Sequence, residues 1–176
     1  MKKLIIICAI ILDLMNIKQP MDLINACKSK DTEKALDLIM NNDTNLDNVD
    51  FYEKTVLILA CQYGMTEVAL ELIKTGHANP DYIDKNGNTV LMLVCDKNMT
   101  EVALELIKTG HAKPEQVNKI GITALILACN HGMKEVVYEL VLIGAFTIND
   151  LMSLKPEWVT KEFLIMNPVD VTEVDI

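Results

Sequence analysis

The sequence predicts an all-α solenoid, in which short helix-turn-helix units stack in a row and a β-turn projects from each. Three observations carry the prediction. A 34-residue repeat runs through most of the 176 residues. Within each repeat, apolar residues recur at helical rather than alternating spacing. The composition is aliphatic: 51% of residues are hydrophobic but only 5% aromatic, and seven glycines with five prolines are too few for a turn-rich all-β domain. At 23% charged residues, the chain has the apolar content to bury a core.

The repeat is plain in the letters. Residues 65–80 read MTEVALELIKTGHANP and residues 99–114 read MTEVALELIKTGHAKP. An offset of 34 without gaps divides the chain into units 21–54, 55–88, 89–122 and a last one, 123–146. The second and third agree at 22 of 34 positions, so they are copies rather than chance resemblances. One such unit cannot cover its own apolar face, and stacking is required.

The elements follow in order. Residues 1–20 open with Lys2 and Lys3 and nine apolar positions, Leu4–Leu12. Nine residues are too few to cross a bilayer, which needs about 20. Asp13 follows directly and no small-residue cleavage site appears, so a helix capping the first unit is preferred to a signal-like segment. Helix pairs are expected at about 21–42, 55–76, 89–110 and 123–144. In the second unit, Thr55–Cys61 is an apolar run and Gly64 breaks it. Thr66 sits where an N-cap belongs, with Glu67 in the first turn. Val68, Ala69, Leu72 and Ile73 share one helical face, Lys74 falls in the last turn, and Gly76 ends the helix. Leu72 and its counterpart Leu106 are therefore core residues. An extended stretch, Asn79–Asp84, leads into a Lys85-Asn86-Gly87-Asn88 turn. The fourth unit lacks that turn, and Met152–Pro156 stands in its place. Residues 147–166 are expected to cap the array, with a helix from Pro156 to Met166 bringing Trp158, Val159 and Phe163 over its open end. Residues 167–176 read as an acidic tail.

These residues carry a resemblance. The T-x-L-x-x-A start (Thr55, Leu57, Ala60; Thr123, Leu125, Ala128), glycine at the helix break (Gly64, Gly132), L-I-x-x-G, and the N-G-x-T turn are similar to the ankyrin repeat. The resemblance covers about residues 21–146. It departs from the family in lacking the helix-start proline and histidine of T-P-L-H. The period of 34 also exceeds the usual 33 by one residue, within the His77–Pro80 loop. The lengthened unit is similar to ankyrin arrays encoded by large DNA viruses of amoebae. The resemblance implies a non-enzymatic module that binds another protein through turn tips and first-helix surfaces.

No chemistry competes with that reading. Cys27, Cys61, Cys95 and Cys129 lie one period apart in the first helices. Stacked helices sit about 8–10 Å apart and a disulfide needs Cα atoms within about 7 Å. Buried, reduced thiols are expected, which points to a cytoplasmic protein, in a host cell if the viral likeness holds. His77 and His111 are also one period apart and stack rather than converge, and no zinc spacing occurs. Glu67/Glu71, Glu101/Glu105 and Glu135/Glu139 form a solvated stripe. No phosphate-binding loop, nucleophile elbow or dinucleotide fingerprint is present, so neither cofactor nor small-molecule substrate is expected. A net charge of −9, without a cationic cluster, argues against nucleic acid. A monomer is expected, off the membrane.

The partner surface is read from where the copies differ. Gln62-Tyr63 is matched by Asp96-Lys97 and Asn130-His131, and Asn86 and Asn88 by Ile120 and Ile122. With Phe51, Tyr52 and Lys54 of the first turn, these thirteen residues are expected along one face, since matched positions line up when units stack. Phe51, Tyr52, Tyr63, Ile120 and Ile122 are expected to be exposed and apolar or aromatic, as interface residues often are. Two rival readings are an exported or membrane-anchored effector using Leu4–Leu12, and a ubiquitin-ligase adapter acting through the C-terminal helix.

Overall fold

The computed structural model describes residues 22–41, 49–51, 54–76, 79–110, 112–154 and 156. Among them are four inner helices: α1 (Asp22–Ser29), α3 (Val56–Gln62), α5 (Val90–Asp96) and α7 (Ala124–Asn130). Alternating with them are four outer helices: α2 (Thr32–Met40), α4 (Thr66–Lys74), α6 (Thr100–Lys108) and α8 (Lys134–Leu142). A ninth helix, α9 (Ile148–Leu154), follows. Each inner helix packs on the outer helix that follows it and on the next inner helix, and outer helices stack on outer helices. The expected helix pairs are present to within two residues.

Inner helix α3 has no polar stripe because it lies between layers: all of Val56–Cys61 is buried, whereas α1, at the start of the described array, exposes Asn25, Lys28 and Ser29. What starts the inner helices after α1 is a threonine. Thr55, Thr89 and Thr123 cap α3, α5 and α7, each side-chain oxygen accepting the backbone N–H three residues on, from Ile58, Met92 and Ile126. A left-handed residue after the C-cap ends the helices, at Lys30, Gly64, Asn98 and Gly132, one period apart. There the chain reverses through an i→i−5 hydrogen bond, as from Met65 N–H to the Ala60 carbonyl (2.9 Å).

That reversal corrects the expected cap of the outer helices. The N-caps of α4, α6 and α8 are Met65, Met99 and Met133, with no side-chain hydrogen bond, and Thr66 is already helical. The tight turn spends Thr66 N–H on the Gly64 carbonyl (3.1 Å) and moves the cap back one residue. In the first unit that position is Asp31, whose carboxylate does accept from Lys34 N–H (3.1 Å). In place of caps the outer helices have their buried face: Leu72 and Leu106 are 0% exposed, each worth about 1.5–3 kcal/mol of transfer free energy.

The C-terminal end also differs from expectation. The helix in 147–154 precedes Pro156, and Met152–Leu154 belong to it. Thr147 and Asp150 cap it reciprocally: Asp150 Oδ2 accepts from Thr147 N–H (2.8 Å) and hydroxyl (2.7 Å), and Thr147 Oγ1 accepts from Asp150 N–H (3.1 Å). These bonds hold the exposed Asp150 carboxyl below its ordinary pKa. Ile148 and Leu151 are its buried residues, and it rests on α7. The expectations for residues 1–20, for a helix beyond Pro156 with Trp158, Val159 and Phe163, and for the 167–176 tail lie outside the described residues. So do Tyr52, His77 and His111.

Candidate functional site

The projecting turns are built around one repeated residue that the sequence reading passed over. Asp50, Asp84 and Asn118 stand one period apart and open each turn. The backbone N–H of each donates to the carbonyl four residues on, at Lys54, Asn88 and Ile122 (2.9, 2.9 and 3.0 Å). The Oδ1 of each accepts the backbone N–H of that same residue (3.0, 2.8 and 2.9 Å). Asp84 and Asn118 also accept from the turn residue two on, Asn86 and Ile120. A short polar side chain that satisfies its own loop backbone is the physical reason Asp and Asn begin turns. Isolated bridges Val49–Thr55 and Ile83–Thr89 close the first two turns at their bases.

Neighbouring turns lock together. Lys119 N–H donates to the Asn86 carbonyl (2.9 Å) and Asn118 Nδ2 to Asn88 Oδ1 (2.8 Å). The fit is close at Gly87, whose φ is +84°: a Cβ there would lie 3.1 Å from Asn118 Cα. In the first unit Lys28 reaches from α1 to Asp50 (3.1 Å), and Asp50 is 5% exposed.

Between the locked turns and the inner helices runs an open groove of about 570 Å³. Its floor is apolar, from Ile58, Val90, Met92, Leu93 and Leu127. Tyr82, Lys85 and Asn86 of one turn and Ile120 and Ile122 of the next form one wall, and Lys54, Gln62, Asp96 and Lys97 lie along the helices. Lys54 Nζ donates to Gln62 Oε1 (2.7 Å), and Lys97 pairs with Asp96 (3.1 Å) in an exposed contact of little stabilising effect.

Eight of the thirteen candidate residues line this groove: Lys54, Gln62, Asn86, Asn88, Asp96, Lys97, Ile120 and Ile122. Phe51, Tyr63, Asn130 and His131 do not. Phe51 is 90% exposed on the first turn. Tyr63 corrects the expectation of an exposed aromatic. It is half-buried against the core at the far end of α3, with Lys30 Nζ 5.8 Å from its ring centre. Ile122 is likewise half-buried, whereas Ile120 is 77% exposed. Asn130 and His131 are exposed at the end of α7, outside the groove. A second apolar row escaped the sequence reading: Val49, Ile83 and Val117, one period apart and exposed, lie outside the groove. Comparing only where copies differ hides it, because its members are all β-branched.

Cys27, Cys61, Cys95 and Cys129 are buried thiols outside any disulfide, as expected. Burial pushes the Cys61 and Cys95 thiols up to about 12 and those of Cys27 and Cys129 to about 11. Among the described residues no group of three His, Cys, Asp or Glu could hold a metal ion, and no helix is long and apolar enough to cross a membrane.

No curated protein matches the chain significantly. A family model described as ankyrin repeats (three copies) matches residues 23–115, just over half of the chain. Helix pairs stacked in two layers, the first three each followed by a projecting turn, are the architecture that match implies. The chain belongs to the ankyrin-repeat family, whose repeats are protein–protein interaction modules.

Proposed function

We propose that the chain is a binding scaffold that docks a partner protein in the groove between the second and third turns and the inner helices. One observation carries this reading: the fold gathers eight of the residues that differ between otherwise matching repeats around one apolar-floored groove. Residues that only hold the stack have no reason to collect there. Ile120, largely exposed beside buried Met92, is the natural anchor position. The same reading puts the protein in a reducing compartment, where buried thiols persist without forming disulfides.

A photo-crosslinking side chain at position 120 tests it in the native cell. The same group at Glu101, exposed on the outer helix α6, is the control. Specific adducts from position 120 and not from 101 are expected. Equal adducts from both would move the binding surface away from the groove.

A further inference from the structure

The joint between the second and third turns has three parts. Lys119 N–H meets the Asn86 carbonyl, Asn118 Nδ2 meets Asn88 Oδ1, and Asn118 Cα closes over Gly87. One period on, the third turn carries the same edge. The Ile120 carbonyl matches that of Asn86, Gly121 matches Gly87 with nearly the same φ, and Ile122 matches Asn88. Among the described residues this edge is open. No donor reaches the Ile120 carbonyl, a Cβ at Gly121 finds no atom within 4 Å, and the Ile120 side chain is 77% exposed. Met152 and Ser153, which match Asn118 and Lys119 in the fourth unit, belong to helix α9 instead of a turn. The layer behind the edge is uncovered as well: Thr123 and Ile126 are half-buried, whereas their counterparts Thr89 and Met92 are buried. The edge also changes chemistry, since two asparagines of the inner joint become two isoleucines here.

We propose that this edge takes an extended segment of the partner protein, in which an aliphatic or aromatic residue packs on Ile120 and Ile122 and the residue after it gives its backbone N–H to the Ile120 carbonyl. This rests on the groove being the docking site, since Ile120 and Ile122 are also part of its wall. The occupant follows from continuity with the joint the chain already makes. Its N–H takes the place of Lys119 N–H. Its apolar side chain takes the place of Asn118, because Ile122 offers no oxygen where Asn88 does, and an amide set against it would lose its partner. The residue that donates is anything but proline, which has no N–H. A second copy of the chain does not supply the pair, because its turns open with Asp50, Asp84 and Asn118, all polar.

The test selects displayed random peptides of about 12 residues, spanning roughly 40 Å when extended, on the immobilised full-length chain. Winners are synthesised with a fluorophore and titrated against the wild type, Ile120→Asp and Gly121→Ala, with melting curves confirming that each variant folds. Gly121→Ala separates the edge from the groove. Its Cβ meets nothing in the free chain, and Gly121 does not line the groove, but a segment seated as Asn118 sits over Gly87 would collide with it. A backbone N-methyl scan of the peptide probes the same joint from the partner's side, and stands alone if Gly121→Ala does not fold. Expected are peptides whose affinity falls about tenfold or more in both variants, and falls similarly on N-methylation at one position, directly after an aliphatic or aromatic residue. Winners that weaken in Ile120→Asp yet tolerate Gly121→Ala and every N-methyl group would keep the groove as the site and overturn the edge. Winners indifferent to Ile120→Asp, or no winners, would overturn the groove reading itself. Tighter peptide binding by Val169→Asp/Val171→Asp would make the chain's own C-terminal segment the occupant. A dimer in sedimentation that Gly121→Ala dissolves would make it a second copy. Either result overturns the partner segment.

Discussion

Position 72 shows how little slack a single residue has in this array. Leu72 and Leu106 sit on the buried faces of α4 and α6, and neither retains accessible surface. Either one changed to Ala is expected to cost about 2–5 kcal/mol in a denaturant titration. A loss below 1 kcal/mol would show that the site collapses around the vacancy. The thiols give a pH-dependent counterpart. Unfolded cysteine ionises near 8.5, whereas Cys61 and Cys95 hold their protons to about 12 in the fold. Between those values the unfolded chain binds fewer protons than the folded one, so the stability present below about 8.5 declines as pH rises toward 12. The melting temperature should fall between pH 8 and 10, and fall less in Cys61→Ala/Cys95→Ala. An equal fall would assign the effect to other groups. These residues were legible in the letters because a buried position allows few residue types in every copy. Tyr63 was not, since it packs against the core from the C-cap of α3, a position where the next two copies carry Lys97 and His131.

The turns behave as elements with their own stability. Replacing Asp84 by Ala removes the acceptor for Asn86 N–H, Asn88 N–H and Asn88 Nδ2. It should cost about 1–3 kcal/mol and speed amide exchange at Asn86 and Asn88 while the helical circular-dichroism signal persists. A comparison of two glycines isolates the contact between turns. Gly87 and Gly121 have nearly equal φ, +84° and +82°, but a Cβ at 121 meets nothing within 4 Å. Both Ala substitutions carry the left-handed penalty of about 1–2 kcal/mol, and Gly87→Ala should cost measurably more. Equal losses would mean the neighbouring turn yields freely. At this scale sequence reading found the helix pairs, because helical spacing and paired glycines mark them. It misplaced the outer caps because one left-handed residue shifts the boundary. It put the cap in 147–166 but began the helix at Pro156 rather than at α9, because seven residues with two buried apolar side chains carry little periodicity, although Thr147-x-x-Asp150 was a usable signal.

Across the described residues, each helix pair packs on its neighbours in the stack, so stability is a sum of local interfaces. Amide protection should therefore be greatest in α3 to α6, whose units are flanked on both sides, and lowest in α9, which rests on α7 at the end of the described array. Uniform protection would indicate all-or-none opening. The groove was half legible for the same reason: repeat arithmetic aligns residues along the stack but cannot say which of them a turn and a helix bring face to face. The bond between turns carries a consequence for how such an array can change over generations. Asn88 spends its Nδ2 on Asp84 and offers its oxygen onward, and Asn118 answers with an amide donor where the matching residue of the preceding unit is a carboxylate. If the second unit were duplicated in tandem, an aspartate would face that oxygen, acceptor against acceptor. If the third were duplicated, the amide would face the aliphatic side chain of Ile122. Two units that share most of their letters are thus not interchangeable parts. Their order is written into one donor and one acceptor, and a gene that gains or loses a copy by recombination must also mend that joint.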